Sequence, residues 1–243
     1  MSLEERILSV MDQKDHWAWP HLTRPGLSKP QLLAHFRHEY QVYVRDFPVL
    51  LARVLGQGPP TAVRKALAEN IFEEETGKLS MGVPHPQLFL EMMEGLGFAA
   101  ADLEATPESL EPEAKLYRRF LEERSVRSPW QVGAAILTIF VEGSRHERAQ
   151  LAGAHVERPI EEVVKEHPMV KHYGCPPERL RLIRAHRQIE GSHRQDAWAM
   201  VFGQVPSSGP LYSEVVDAMQ HALSLWQAYR DGVARAMGLT RNV

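Results

Sequence analysis

Cysteine is almost absent: Cys175 is the only one in 243 residues, so neither an intrachain disulfide nor a thiolate zinc site can hold the fold. Packing or non-thiolate ligands must do so, and a reducing, cytoplasmic setting is expected. An excess of one charge is also missing, with 28 Lys and Arg against 31 Asp and Glu. That balance leaves no electrostatic footprint for nucleic acid or an anionic membrane surface. No stretch reaches the ~18 apolar residues of a membrane span, and Met1 to Trp17 lacks the positive start and apolar run of a signal peptide. Strand signals are nearly missing too, since no alternating β-branched run is bounded by hairpin-turn residues. The expected partner is a small molecule.

What is present is enough apolar material for a large core, 44% hydrophobic against 24% charged residues, with apolar positions recurring at three- and four-residue spacing. The expectation is one all-α helical domain over residues 1–243. A first helix is expected over about residues 2–17. A second starts at Ser28, a suitable N-cap, and bends at Phe47-Pro48. Further helices are expected from Thr61 to Lys78, from Pro86 to about Gly95, from Pro112 to Val126 and from Pro129 to about His155. The last three run from Pro159 to Tyr173, from Pro177 to Gln204 and from Pro210 to Met237. Proline recurs at the first position, where its missing N–H costs nothing.

Twelve histidines are the compositional oddity, and their placement is informative. His186, Glu190 and His193 are spaced so that, at about 100° per residue, the three side chains fall within about 60° of one another. Leu182, Ile183, Ile189, Ala197 and Met200 share that stripe, which makes it the buried one. Buried ionisable groups in register call for pairing or a metal, and imidazole with carboxylate is a donor set for iron or manganese. By the same arithmetic Val63, Leu67, Asn70, Ile71 and Glu74 share a face, so Glu74 points inward, with Glu75 the alternative. Glu73 and Glu75 flank it as a solvated acidic edge. His85 enters from the start of the following helix. Glu142 ends the uncharged run Gly133–Val141, on a face with Ala135, Thr138, Ile139, Ala149 and Gly153, and His146 follows one turn on as a supporting group. Carboxylates and imidazoles on several helices are the pattern of bundle-core dimetal sites.

The set Asn70, Glu74-Glu75-Thr76-Gly77, His85, Glu142 and His186-x3-Glu190-x2-His193 resembles the CADD-like haem-oxygenase-like di-iron oxidases, within the TenA/PqqC superfamily. The likeness spans nearly the whole chain and includes Tyr40 to Pro48. It implies a haem-oxygenase-like helical bundle in which Glu74, His85, Glu142, His186, Glu190 and His193 bind two Fe ions, with Glu142 bridging. Manganese suits the same donors. The activity implied is dioxygen-dependent oxidation of a small metabolite, and the relatives imply a homodimer. Glu190 stands where the family more often has Asp, one methylene shorter. The superfamily offers two further readings, a cofactorless oxidase of the quinone-synthase type and a metal-free binding protein. A thiaminase would need a cysteine nucleophile, and Cys175 sits in the Gly174-Cys-Pro-Pro turn, poorly placed for attack.

Overall fold

Proline and glycine set many of the helix boundaries in the computed structural model, which describes residues 1–104, 109–154 and 158–241, apart from the side chains of 190–193. In chain order the helices are α1 (Leu3–Met11), α2 (Trp19–Leu22), α3 (Lys29–Glu39), α4 (Phe47–Leu55), α5 (Thr61–Thr76), α6 (His85–Gly95) and α7 (Ala100–Leu103). They continue as α8 (Pro112–Arg127), α9 (Trp130–Ala134), α10 (Glu147–Leu151), α11 (Ile160–Glu166), α12 (Pro168–Lys171), α13 (Arg181–Phe202) and α14 (Pro210–Ala236). No strand occurs among the described residues. No described helix is long and apolar enough to cross a membrane.

Local chemistry accounts for several starts and stops. Ser28 begins α3 as expected: Gln31 Oε1 accepts from the Ser28 N–H at 2.9 Å and from its hydroxyl at 3.0 Å, which satisfies a donor the helix cannot. α5 ends at Gly77, whose φ of 60° is left-handed and suits a residue without a Cβ. A Cβ there would lie 2.5 Å from the backbone nitrogen of Val83, so glycine is required twice over. This contact brings the chain after α5 back towards its own helix and delivers His85 to the start of α6.

Two segments wind with the wider i→i+5 hydrogen bonding of a π-helix, Tyr40–Val44 after α3 and Ala135–Val141 after α9. Arg45 N donates to Tyr40 O at 3.0 Å, and the helix expected to bend at Pro48 is instead interrupted at Arg45-Asp46, so that α4 starts afresh at Phe47 with Pro48 in its first turn, where the missing N–H costs nothing. The helix expected from Pro129 to His155 is not continuous. It passes from α9 through the second π segment, turns at Gly143 and resumes as α10. The stretch from Pro159 is broken as well, because Pro168 disfavours helical backbone at His167, whose ψ is 133°. α1 stops at Met11 rather than near residue 17.

α14 runs through the larger hydrophobic cluster, where Met219, Ala222, Trp226 and Tyr229 meet Ile7 and Met11 of α1, Tyr117 of α8 and Ile136 and Phe140 of the second π segment. A smaller cluster joins Leu32 and Phe36 of α3 to Leu88, Phe89, Met92 and Met93 of α6 and to Leu182 and Ala185 of α13. Each fully buried Leu or Met contributes about 1.5–3 kcal/mol relative to exposure. α13 packs on α5, α6 and the second π segment and joins the two clusters, with Leu182 and Ala185 in the smaller and Ala197, Trp198 and Val201 in the larger.

Candidate metal centre

The inward stripe of α5 is as expected, with Val63, Leu67, Asn70 and Glu74 all buried. Glu74 therefore enters the interior, and Glu75 is exposed. His85 is 3% exposed, its ring centroid 5.2 Å from that of His186 on α13. One ligand atom from each of Glu74, His85 and His186 lies within 4.8 Å of the other two. Three residues far apart in sequence thus converge on one point.

The two nitrogens of His85 have different surroundings. Nε2 lies 3.1 Å from Oε1 of Glu73, while Nδ1 lies 2.9 Å from Oε1 of Glu74. The Nδ1 contact is close but not aligned as a hydrogen bond, and Nδ1 is a buried polar atom without a hydrogen-bond partner. A proton on Nε2, donated to Glu73, leaves the Nδ1 lone pair directed at the space shared with Glu74 and His186. Two donors bound to one ion at about 2.1 Å and near a right angle sit about 3.0 Å apart, close to the Nδ1–Glu74 separation. A carboxylate holding the far nitrogen of a ligating histidine fixes its tautomer and raises its basicity.

Glu73 overturns the expectation of a solvated edge, since it has no exposed surface. The chain returning after Gly77 covers it: Leu79 N donates to Oε2 at 2.7 Å and the Ser80 hydroxyl donates to Oε1. Burial alone would raise its pKa, but these donors and His85 together hold it below the usual carboxylate range. For His85, burial disfavours the charged ring, yet the carboxylates of Glu74 and Glu73 outweigh it and raise the pKa. Negative charge is concentrated here and favours a bound cation.

A cavity of about 330 Å³ opens on these groups, within the range of small-molecule sites. Phe47, Phe89, Met92, Leu182 and Ile189 form its apolar walls, and Tyr43, Thr138, Glu142, Glu147 and Arg194 its polar ones. Both π segments contribute residues, in keeping with the tendency of π-helical turns to occur at functional sites. Glu142 reaches this cavity, its Oε1 accepting from Asn70 Nδ2 at 3.0 Å. It is nonetheless exposed, and the face expected to join it with Ala149 and Gly153 is not formed. The π winding, with Glu142 N bonded to Leu137 O at 3.3 Å, shifts the face reckoned at α-helical spacing. The turn at Gly143 also moves Ala149 and Gly153 away.

His146 lines a neighbouring chamber rather than this cavity. Glu147, which the sequence reading did not single out, is 1% exposed and lines the cavity. Its oxygens accept from Ser144 N at 3.1 Å, Arg194 Nε at 3.2 Å and Trp198 Nε1 at 3.1 Å. These donors make Glu147 a wall of the cavity. The side chains of Glu190 and His193 lie outside the described residues. Cys175 is buried and absent from the cavity lining, and burial pushes its thiol up to about 11. It is unsuited to nucleophilic attack.

Comparison with known proteins shows the family and the fold. The profile of a family described as iron-containing redox enzymes matches residues 34–227. A TenA homolog from Pseudomonas syringae pv. tomato str. DC3000 superposes with a TM-score of 0.69 at 15% identity, covering 96% of this chain and 91% of its own. A CADD-like protein of unknown function from Nostoc punctiforme PCC 73102 superposes with a TM-score of 0.60 at 17% identity, covering 99% and 96%. At these identities the likeness shows a shared haem-oxygenase-like helical fold. No curated protein matches the sequence.

Proposed function

The chain belongs to the iron-containing redox enzyme family, and from that premise we propose that it is a non-haem di-iron oxidase or oxygenase acting on a small metabolite with dioxygen. The observation that carries this reading is the convergence of Glu74, His85 and His186 within 4.8 Å of one another, on a cavity of about 330 Å³. The donor set is mixed carboxylate and imidazole, suited to iron and equally to manganese.

In this reading Glu74, His85 and His186 hold one ion. A second ion would be held by Glu142, which shares the cavity, together with Glu190 and His193. Iron bound there supplies the electrons that reduce dioxygen. The chain's own part is position and enclosure. Glu73 holds the Nε2 proton of His85, so that the Nδ1 lone pair stays available as a ligand. Asn70 orients Glu142. Phe89, Met92, Leu182 and Ile189 exclude water from one side of the cavity, which strengthens electrostatic interactions inside it. Arg194, paired with Glu147 at 3.2 Å, presents a neutralised polar wall against which a substrate can be oriented.

Anaerobic titration with ferrous ion tests the proposal, together with dioxygen uptake before and after chelation. Two ions per chain, loss of at least one in His186→Ala, and chelator-sensitive uptake are expected. A stoichiometry well under two, or chelator-insensitive uptake, would overturn it.

A further inference from the structure

A second chamber of about 350 Å³ adjoins the cavity of the Glu/His centre, and Tyr43, Val141 and Gly143 line both. Its other walls include Lys14, Trp19, Tyr117, Trp226 and Arg230. Aromatic faces, the half-buried Lys14 and the buried Arg230 make up its inner wall, with Asp15, Ser144, Arg145 and His146 completing the lining.

Charge in this chamber is unbalanced. Arg145 and Asp15 pair with each other at its rim, and Arg230 pairs with Glu39. Lys14 has no such partner: Nζ contacts the carbonyl oxygens of Phe140 at 2.5 Å, Gly143 at 2.6 Å and Val141 at 3.3 Å. Among the described residues no carboxylate lies within ion-pair distance of it, and Glu147 and Glu39 act on it only from further away. Burial and the nearby charge of Arg230 pull its pKa down to about 7, so the cationic form is held at a cost. Arg230 is 6% exposed, and its Nε also lacks an acceptor. Its guanidinium lies 4.7 Å from the ring centre of Trp19 and 5.3 Å from that of Trp226. Lys14 is half-buried and its ammonium meets only carbonyl oxygens, so its charge is not neutralised, and an anion entering beside Lys14 and Arg230 would offset that cost.

We propose that the chamber bounded by Lys14, Trp19, Tyr43, Trp226 and Arg230 is a binding site for a small organic monocarboxylate, whose carboxylate is held by Lys14 and Arg230 and whose flat apolar body lies against the indole rings. This site is separate from the Glu/His centre and needs no metal.

Phenylacetate and its neutral isostere phenylacetamide serve as probes, with binding followed by calorimetry on the chelator-treated full chain. Phenylacetate is expected to bind at least tenfold more tightly than the amide. Lys14→Met should weaken phenylacetate at least tenfold and leave the amide within threefold, while His186→Ala binds phenylacetate like the wild type. Because Lys14 also clamps three carbonyls, the charge comparison on wild-type protein stands without the variant. Equal binding of the two probes, no binding of phenylacetate, or loss of its binding in His186→Ala would overturn the proposal. These readouts require neither iron nor turnover, so their failure is distinct from failure of the di-iron reading.

Discussion

Oε1 of Glu73 lies 3.1 Å from Nε2 of His85, on the far side of the ring from the nitrogen that faces Glu74. Glu73 is thus a positioning residue, acting on a metal only through the imidazole. Replacing a carboxylate that orients a ligating histidine typically costs about 10–100-fold in metal affinity. Glu73→Gln is expected to bind ferrous ion at least tenfold more weakly in chelator competition, with two sites still filled at saturation. Wild-type affinity in this variant would show that His85 does not need Glu73.

Gly77 joins the two ligand-bearing helices. A side chain there meets both left-handed backbone, worth about 1–2 kcal/mol, and the backbone of Val83. Gly77→Ala is expected to lower unfolding stability by at least about 2 kcal/mol in urea. It should also weaken metal binding, because Val83 leads directly to His85. An unchanged urea midpoint would contradict the packing described.

The Glu39–Arg230 pair is buried, at 12% and 7% side-chain exposure. Removing one partner of such a pair typically costs about 3–5 kcal/mol, whereas removing both costs less. Arg230→Met is therefore expected to be more destabilising than the double variant with Glu39→Gln, as read from denaturant melts. Simple additivity of the two single losses would show that the charges are not coupled.

His35 is 7% exposed. Burial pulls its pKa down to about 4; Glu39 opposes that shift, and Arg230 and His38 reinforce it. The unfolded ring takes its proton near pH 6.5, so between the two values the unfolded chain binds a proton that the folded one refuses. The associated stability is whole above about pH 6.5 and declines as pH falls towards 4, at up to about 1.4 kcal/mol per pH unit. Urea melts at pH 7 and pH 5 should show this slope, reduced in His35→Leu. The same slope in both proteins would assign the acid sensitivity to other groups.

The parts of the centre legible in the sequence are those on regular α-helix. Glu74 and His186 lie on α5 and α13, where α-helical spacing puts a charged group in register with Leu67 or Leu182. Glu142 follows a π segment, and one extra residue in the hydrogen-bonded ring is enough to change its face. The burial of Glu73 is not legible in the sequence, because its cover comes from Leu79 and Ser80 in the returning chain, a contact that no periodicity within α5 contains. Lys14 and Arg230 stand out in the sequence no more than other cations, since what surrounds them depends on the chain after α1, α14 and the second π segment meeting. Helix existence follows from local pattern, while the coverage of a polar residue follows from tertiary assembly.

Crystals soaked anaerobically with ferrous ion and measured across the iron absorption edge test the central claim most directly. The account predicts an anomalous peak within bonding distance of His85 Nδ1, Glu74 and His186, with Glu73 still on Nε2. A peak that avoids His85, or none at saturating iron, would contradict it.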